Sequence, residues 1–329
     1  MPPAPRVIDF HMHFQIGNDQ VIDQMARSAG TQPADPEAAE RRREAVAPYA
    51  QRWRDAYGFP DPDPPAADWT DEADRWIAEL DANGVEKAVF VTGGGNDRLA
   101  RVVDRHPGRL LGFAHHDPFA PGAAEELERA VTELGLRGLK LFAPLLRHPL
   151  SHPDARPVWR TAARLGVPVL VHTGHWGAAG GLAYNDRTSP AHLEPVAREF
   201  PELTIVVPHF GVQFVQELLF VCWACPNVHV DTSGSNQWVR WMPYRLTLAD
   251  LFRRFYETVG PERLLFGSDS SWFPRGYVRD YLADQRRICH EMNMPAADID
   301  RIFSGNAERL LGLAGRPDGR SDNQEGGAR

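Results

Sequence analysis

The sequence predicts an α/β fold: a closed (β/α)8 TIM barrel with a long helical, proline-rich insertion after its first strand. Three observations predict it. Eight short apolar or β-branched runs recur along the 329 residues. An amphipathic stretch follows each run, so successive strands are parallel, because a parallel pair needs a long crossover, usually a helix. Eight such units in a chain of this length match a sheet closed on itself.

The first run is VIDFHMH (7–13). Residues 14–68 then separate it from the first barrel helix, where a few residues would suffice. They carry AERRREAVAPYAQRWRDAYG, a charged helix, and FPDPDPPAAD, a proline-rich loop. An insertion after strand 1 leaves from the C-terminal face of the barrel, where active sites sit, so it reads as a lid or specificity loop. Thr70, followed by Asp71 and Glu72, opens the helix DEADRWIAELDANG, which closes at Asn83-Gly84. The next runs are KAVFVTG (87–93), LLGFAHHD (110–117), GLKLFAP (138–144) and VPVLVHTG (167–174). Ser189-Pro190 is an N-cap with proline at the first helical position, before AHLEPVAREF. LTIVVPHFG (203–211), NVHVDTSG (227–234) and LLFGSDS (264–270) complete the strands, and NAERLLGLAG is the last helix. Residues 1–315 read as one barrel domain, and 316–329, rich in Gly, Arg, Asp and Ser, as a disordered tail.

Composition narrows the function. A formal charge of −8 argues against nucleic acid or an anionic membrane as partner. Three cysteines make no disulfide framework, and Cys222-x-x-Cys225 lies in an apolar helix end with no second such pair to complete a zinc site. MPPAPR runs straight into the first strand without a signal-peptide pattern. The longest apolar region, 203–224, is broken by Pro208, His209, Gln213 and Glu217, so no membrane span is expected. The expectation is a cytoplasmic protein acting on a small molecule.

His11 and His13 occupy alternate positions of a strand and share one face. His172, His209 and Asp269 fall at or just past the ends of three other runs. Strand ends of a barrel converge on one rim, so these five residues would crowd one site. Left unpaired there, they would cost several kcal/mol to desolvate. Three imidazoles and a carboxylate suit one divalent metal, Zn²⁺ first, with Mn, Fe or Co as alternatives.

IDFHMH, VHTG, PHFG and FGSDSSW resemble the amidohydrolase superfamily, and within it the amidohydrolase-2 branch of the aminocarboxymuconate semialdehyde decarboxylase relatives. GRLLGFAHHDP, LGLRGLKLFAP, CPNVHVDTSG and NAERLLGL extend the resemblance from about residue 7 to 313, excluding the insertion. The resemblance implies His11, His13, His172 and Asp269 as ligands of one metal. It implies His209 as the histidine that moves protons beside the metal-bound water, and Asp269 as both ligand and proton shuttle.

Such a metal lowers the pKa of bound water to roughly 7, which permits hydrolysis of an amide, ester or lactone. The first expectation is therefore a metal-dependent hydrolase of a small, carboxylate-bearing, cyclic or aromatic substrate. The alternative, which the branch also implies, is non-oxidative decarboxylation of a small aromatic or muconate-like acid. Lys140 and Arg275 are candidate holders of the substrate carboxylate, with Arg52 and Arg54 on the insertion weaker ones. Some superfamily branches bridge two metals with a carboxylated lysine on strand 4, where Lys140 lies, but this branch implies one metal. Trp176, Trp238 and Trp272 follow strand ends and are candidate walls for a planar substrate. His115, His116 and His175 are candidate supports near the rim. The resemblance also makes a homodimer the expected assembly.

Overall fold

The computed structural model describes residues 6–313 except 17, 32–34, 65, 67 and 178–180. The expected tail, 316–329, lies outside the described residues. The strands are β1 (Ile8–His13), β2 (Lys87–Thr92), β3 (Leu110–Gly112), β4 (Ala114–His115), β5 (Leu139–Phe142), β6 (Val169–His172), β7 (Ile205–Val207), β8 (Val228–Asp231) and β9 (Leu264–Leu265). Each neighbouring pair is parallel, in the order β1-β2-β3 and β4-β5-β6-β7-β8-β9. β3 and β4 are the two halves of the single run 110–117. Phe113 divides them, its N–H donating to Phe90 O at 3.0 Å while the next N–H, of Ala114, donates to Gly138 O at 2.8 Å.

The barrel closes between β1 and the segment after β9. Phe10 N–H donates to Phe266 O at 3.0 Å, His13 N–H to Ser270 O and Asp269 N–H to His11 O, both at 2.9 Å. Met12 and Ser270 form a parallel bridge. Several runs yield shorter strands than the sequence pattern allowed, because their C-terminal ends bend out of the sheet to build the rim.

Ile8, Phe10, Val89, Val91, Leu170, Val206 and Leu265 form a separate buried cluster that fills the barrel, distinct from the larger layer between strands and helices. β1 changes sides along its length. Ile8 and Phe10 belong to the inner cluster, whereas Met12 and Phe14 belong to the outer layer. A register shift against β2 between Asp9 and Met12 makes the switch. That irregularity turns His11 and His13 into the barrel, above the apolar filling.

The helix expected from Thr70 runs Trp69–Ala82 and starts one residue earlier, with Asp68 as its N-cap accepting from Thr70 N–H. Ser189 caps a short turn, Pro190–His192, before the helix Leu193–Glu199. Cys222 and Cys225 are buried in and just after the helix Val215–Ala224, their carbonyls accepting from Arg263. The insertion contains two helices, Asn18–Ser28 and Pro36–Tyr57; the second is 22 residues long and buries none of them. Its C-terminal end is fastened to the segment after β8. Tyr57 OH donates to Gln237 O at 2.6 Å, and Arg240 Nη1 to Ala56 O at 2.8 Å. Among the described residues no helix is long and apolar enough to cross a membrane.

Candidate metal centre

His11 Nε2 and His13 Nε2 lie 3.2 Å apart. Asp269 Oδ1 is 3.3 Å from His13 Nε2 and 3.9 Å from His11 Nε2. Three bonds of about 2.1 Å to one ion span such separations. Asp269 reaches the histidines because its backbone is left-handed (φ 63°), which turns the carboxylate back over β1. Gly234 makes room for it: a Cβ there would meet Asp269 Oδ2 at 2.8 Å and His209 Nδ1 at 3.3 Å.

The hydrogen bonds fix the donor chemistry. His11 Nδ1 lies 2.7 Å from Asp231 Oδ2, and a carboxylate only accepts, so Nδ1 carries the proton and Nε2 offers a lone pair towards Asp269. Burial lowers the pKa of both His11 and His13, which keeps the imidazoles neutral. Burial opposes ionisation of Asp269, but the hydrogen bond with His13 and the surrounding imidazoles outweigh it and hold the carboxyl well below its usual range. Neutral nitrogen donors facing an ionised carboxylate fit a divalent cation. A buried lone pair directed at an anion is otherwise left without a partner.

His172 lines the same cavity, but its nitrogens fall outside the tight group formed by His11, His13 and Asp269. Its Nε2 donates to His175 O at 2.9 Å, leaving Nδ1 uncommitted. His209 follows Pro208 in a left-handed turn (φ 60°), and its ring lies 5.0 Å from those of both His11 and His172. Its Nδ1 donates to Ser233 O at 2.7 Å, leaving Nε2 available. His11, His209 and Asp231 form a second close group. There, His11 Nδ1 is already committed to Asp231 and His209 Nδ1 to Ser233, so the group backs the first by hydrogen bonding.

A cavity of about 410 Å³ opens beside the cluster, lined by His13, His172, His209 and Asp269 and walled by Trp53, Trp238, Trp241 and Trp272. Arg275 lines it too. Its guanidinium sits 4.1 Å from the Phe59 ring, 4.6 Å from that of Trp272 and 5.6 Å from that of Tyr281. Its one hydrogen bond, to Tyr281 OH, is 3.3 Å long, and its Nε has no partner. No acidic side chain among the described residues comes within ion-pair distance of it, Asp269 acting on it only through its field. Burial lowers its pKa. Arg54 also lines the cavity but is paired with Asp61 at 2.8 Å, and Arg52 is exposed beside Tyr49.

Two expected substrate contacts are not brought to this cavity. Lys140 faces into the barrel but is fully buried, because Phe142, the next inward residue up β5, lies over it at 4.7 Å. Its Nζ has no hydrogen-bond partner, and burial lowers its pKa to about 7 against the fields of Asp231 and Asp269. Trp176 bridges Leu182 and packs on Phe142, which turns it into a separate cavity with Ala26 and Leu145. His175 lines the main cavity, while His115 is buried with Nδ1 donating to Lys140 O and His116 bonds Ala123 O. The sequence reading missed Trp53, Asp231, Ser233 and Gly234. NVHVDTSG ends its strand with Asp231 on the same rim, so the rule that found His172 also reaches Asp231. Nothing in the insertion's pattern marked Trp53.

Residues 8–313 match the amidohydrolase family. The chain belongs to that family. A gamma-resorcylate decarboxylase of Rhodococcus jostii is 34% identical over 262 residues, 62% of this chain and 75% of the relative. Two solved structures share the fold. The 5-carboxyvanillate decarboxylase of Sphingomonas paucimobilis has a TM-score of 0.64 at 20% identity, covering 94% of this chain and 99% of the other. That of Novosphingobium aromaticivorans, with bound manganese and a hydroxy-methoxy-nitrobenzoic acid, has a TM-score of 0.61 at 19% identity, covering 94% and 98%. The relatives named here are decarboxylases of aromatic acids, which favours the alternative reading and demotes hydrolysis from first place.

Proposed function

We propose that the protein is a metal-dependent, non-oxidative decarboxylase of a small hydroxylated aromatic acid. The observation that carries this reading is one cavity holding both the His11, His13 and Asp269 cluster and an unpaired guanidinium, Arg275, between aromatic walls. The reaction replaces the ring–carboxyl bond with a ring–hydrogen bond: the carboxylate leaves as CO₂ and a proton takes its place.

His11, His13 and Asp269, with His172 completing the set through Nδ1, would hold one divalent ion. The ion, when bound, supplies positive charge that fixes the substrate's carboxylate and neighbouring hydroxyl and stabilises the charge left on the ring. Zinc suits the imidazole donors best, and manganese, which binds such nitrogen-rich sites more weakly, is the metal present in the structural relative. Arg275 orients the acid by charge-assisted hydrogen bonds. Trp53, Trp238 and Trp272 hold the ring between flat faces and exclude water. His209 accepts the hydroxyl proton at Nε2 and returns it to the ring carbon, with Asp269 as the second group able to move it. Residues 36–64 of the insertion would act as a lid, since Trp53 and Pro62 line the cavity. A cytoplasmic homodimer belongs to the same reading, supported by Phe220 and Trp223 stacked and exposed on the helix Val215–Ala224.

The test incubates manganese-loaded protein with a panel of carboxyl-¹³C-labelled hydroxybenzoates, gamma-resorcylate included, and follows labelled CO₂ by mass spectrometry. Labelled CO₂ and the decarboxylated phenol are expected. A new carboxylate carrying solvent oxygen from an ester or lactone panel, with no CO₂, would restore hydrolysis.

A further inference from the structure

His11 and His209 come from distant parts of the sequence, yet one short segment, Asp231 to Ser233 at the end of β8, touches both. Asp231 and Ser233 are fully buried. Asp231 Oδ2 accepts from His11 Nδ1 at 2.7 Å, and Oδ1 accepts from Ser233 N–H at 2.8 Å. Ser233 Oγ–H also donates to Asp231 Oδ1 in a short hydrogen bond. Ser233 Oγ lies 2.9 Å from His209 Nδ1 and 3.1 Å from His11 Nδ1. The Ser233 carbonyl accepts from His209 Nδ1 at 2.7 Å.

The proton count closes in one way. A serine hydroxyl has one proton, and Asp231, which can only accept, takes it. Both lone pairs of Ser233 Oγ are then left facing the two imidazoles, so each Nδ1 must bring its own proton. We infer that Asp231 and Ser233 are positioning residues that lock His11 and His209 together as Nδ1–H tautomers. His11 then offers its Nε2 lone pair to the metal, and His209 keeps its Nε2 uncommitted. One buried pair thereby orients both a proposed metal ligand and the acid–base group. The inference rests on the reading that His11 is a ligand and His209 moves the proton.

The test needs no substrate. In zinc-loaded, ¹⁵N-histidine-labelled protein, two-bond ¹H–¹⁵N spectra should show His11 and His209 protonated at Nδ1. In Ser233→Ala, which keeps the backbone carbonyl and loses only Oγ, His209 should stay protonated at Nδ1, while Asp231 loses the hydroxyl donor that holds it against His11 and Zn²⁺ affinity should fall several-fold. Calorimetric titration of Zn²⁺ into EDTA-stripped protein should show affinity 10–100-fold weaker in Asp231→Asn, the range typical of groups that orient a ligating histidine. A parent His209 with no proton at Nδ1 overturns the inference, as does Zn²⁺ affinity within two-fold of the parent in a folded Asp231→Asn. If Asp231→Asn does not fold, the tautomers of the parent and the Zn²⁺ affinity of Ser233→Ala decide alone. A parent that binds no zinc refutes the proposed function instead.

Discussion

Arg275→Met removes the cavity cation that, among the described residues, no acidic side chain pairs with. In the parent, the guanidinium is held by the rings of Phe59, Trp272 and Tyr281 and by one 3.3 Å hydrogen bond. Aromatic contacts and a long bond leave most of its five donors for a ligand. A hydrogen bond to a charged group contributes about 1.5–3 kcal/mol. At about 1.4 kcal/mol per decade, its loss lowers kcat/KM by roughly 10–150-fold. Because the side chain is half-buried, without an ion-pair partner, and makes one long hydrogen bond, to Tyr281 OH, methionine costs little stability and the melting temperature should hold or rise. Stopped CO₂-release assays on the best acid of the panel, with scanning calorimetry in parallel, give both numbers. A folded Arg275→Met enzyme with kcat/KM within two-fold of the parent would refute the assignment of Arg275 to the substrate carboxylate.

Three further outcomes follow from the geometry. Asp269→Asn and His172→Ala should lose metal and activity together, whereas His209→Ala should keep its metal and lose turnover by about 10²–10⁴-fold; elemental analysis beside the CO₂ assay separates the two classes. Gly234→Ala should cost about 1–2 kcal/mol for a left-handed alanine and, by pressing a methyl group to within 2.8 Å of Asp269 Oδ2, lower metal occupancy as well; unchanged occupancy would mean that the turn yields. His229 should make the fold acid-labile. Burial, then the fields of Arg309 and Arg263, lower its pKa to about 3. The unfolded chain therefore binds the extra proton below about pH 6.5, and stability falls as the pH drops from there towards 3. At pH 5 the contribution of His229 is about 2 kcal/mol, and the difference between urea melts at pH 5 and 7.5 should shrink by about that amount in His229→Gln, the remainder belonging to the other buried histidines.

The barrel was legible because the strands are short, largely apolar runs and the crossovers are amphipathic, patterns that survive without any knowledge of contacts. The metal cluster was legible for a different reason: strand ends meet on one rim, so position in a run stands in for position in space. His11 and His13 were placed correctly through a rule that holds only in part. Strict alternation would have kept them on the face opposite Ile8 and Phe10, and only the register shift after Asp9 brings all four inward. Lys140 failed as a cavity contact because its depth in the strand decides its exposure, and the pattern GLKLF does not reveal that Phe142 covers it. Trp176 failed because a hairpin bridge to Leu182 sets its direction, a contact that neighbouring residues do not encode. Trp53 was invisible for the same reason on a larger scale. It reaches the cavity only because Tyr57 and Arg240 fasten the insertion against the segment after β8.

The most direct test of the account is anomalous diffraction from crystals of the manganese-loaded protein, collected on both sides of the metal edge. One peak per chain within bonding distance of His11 Nε2, His13 Nε2, His172 Nδ1 and an Asp269 oxygen is the predicted result. A peak elsewhere, or none at full manganese loading, would contradict the single metal centre on which the proposed chemistry depends.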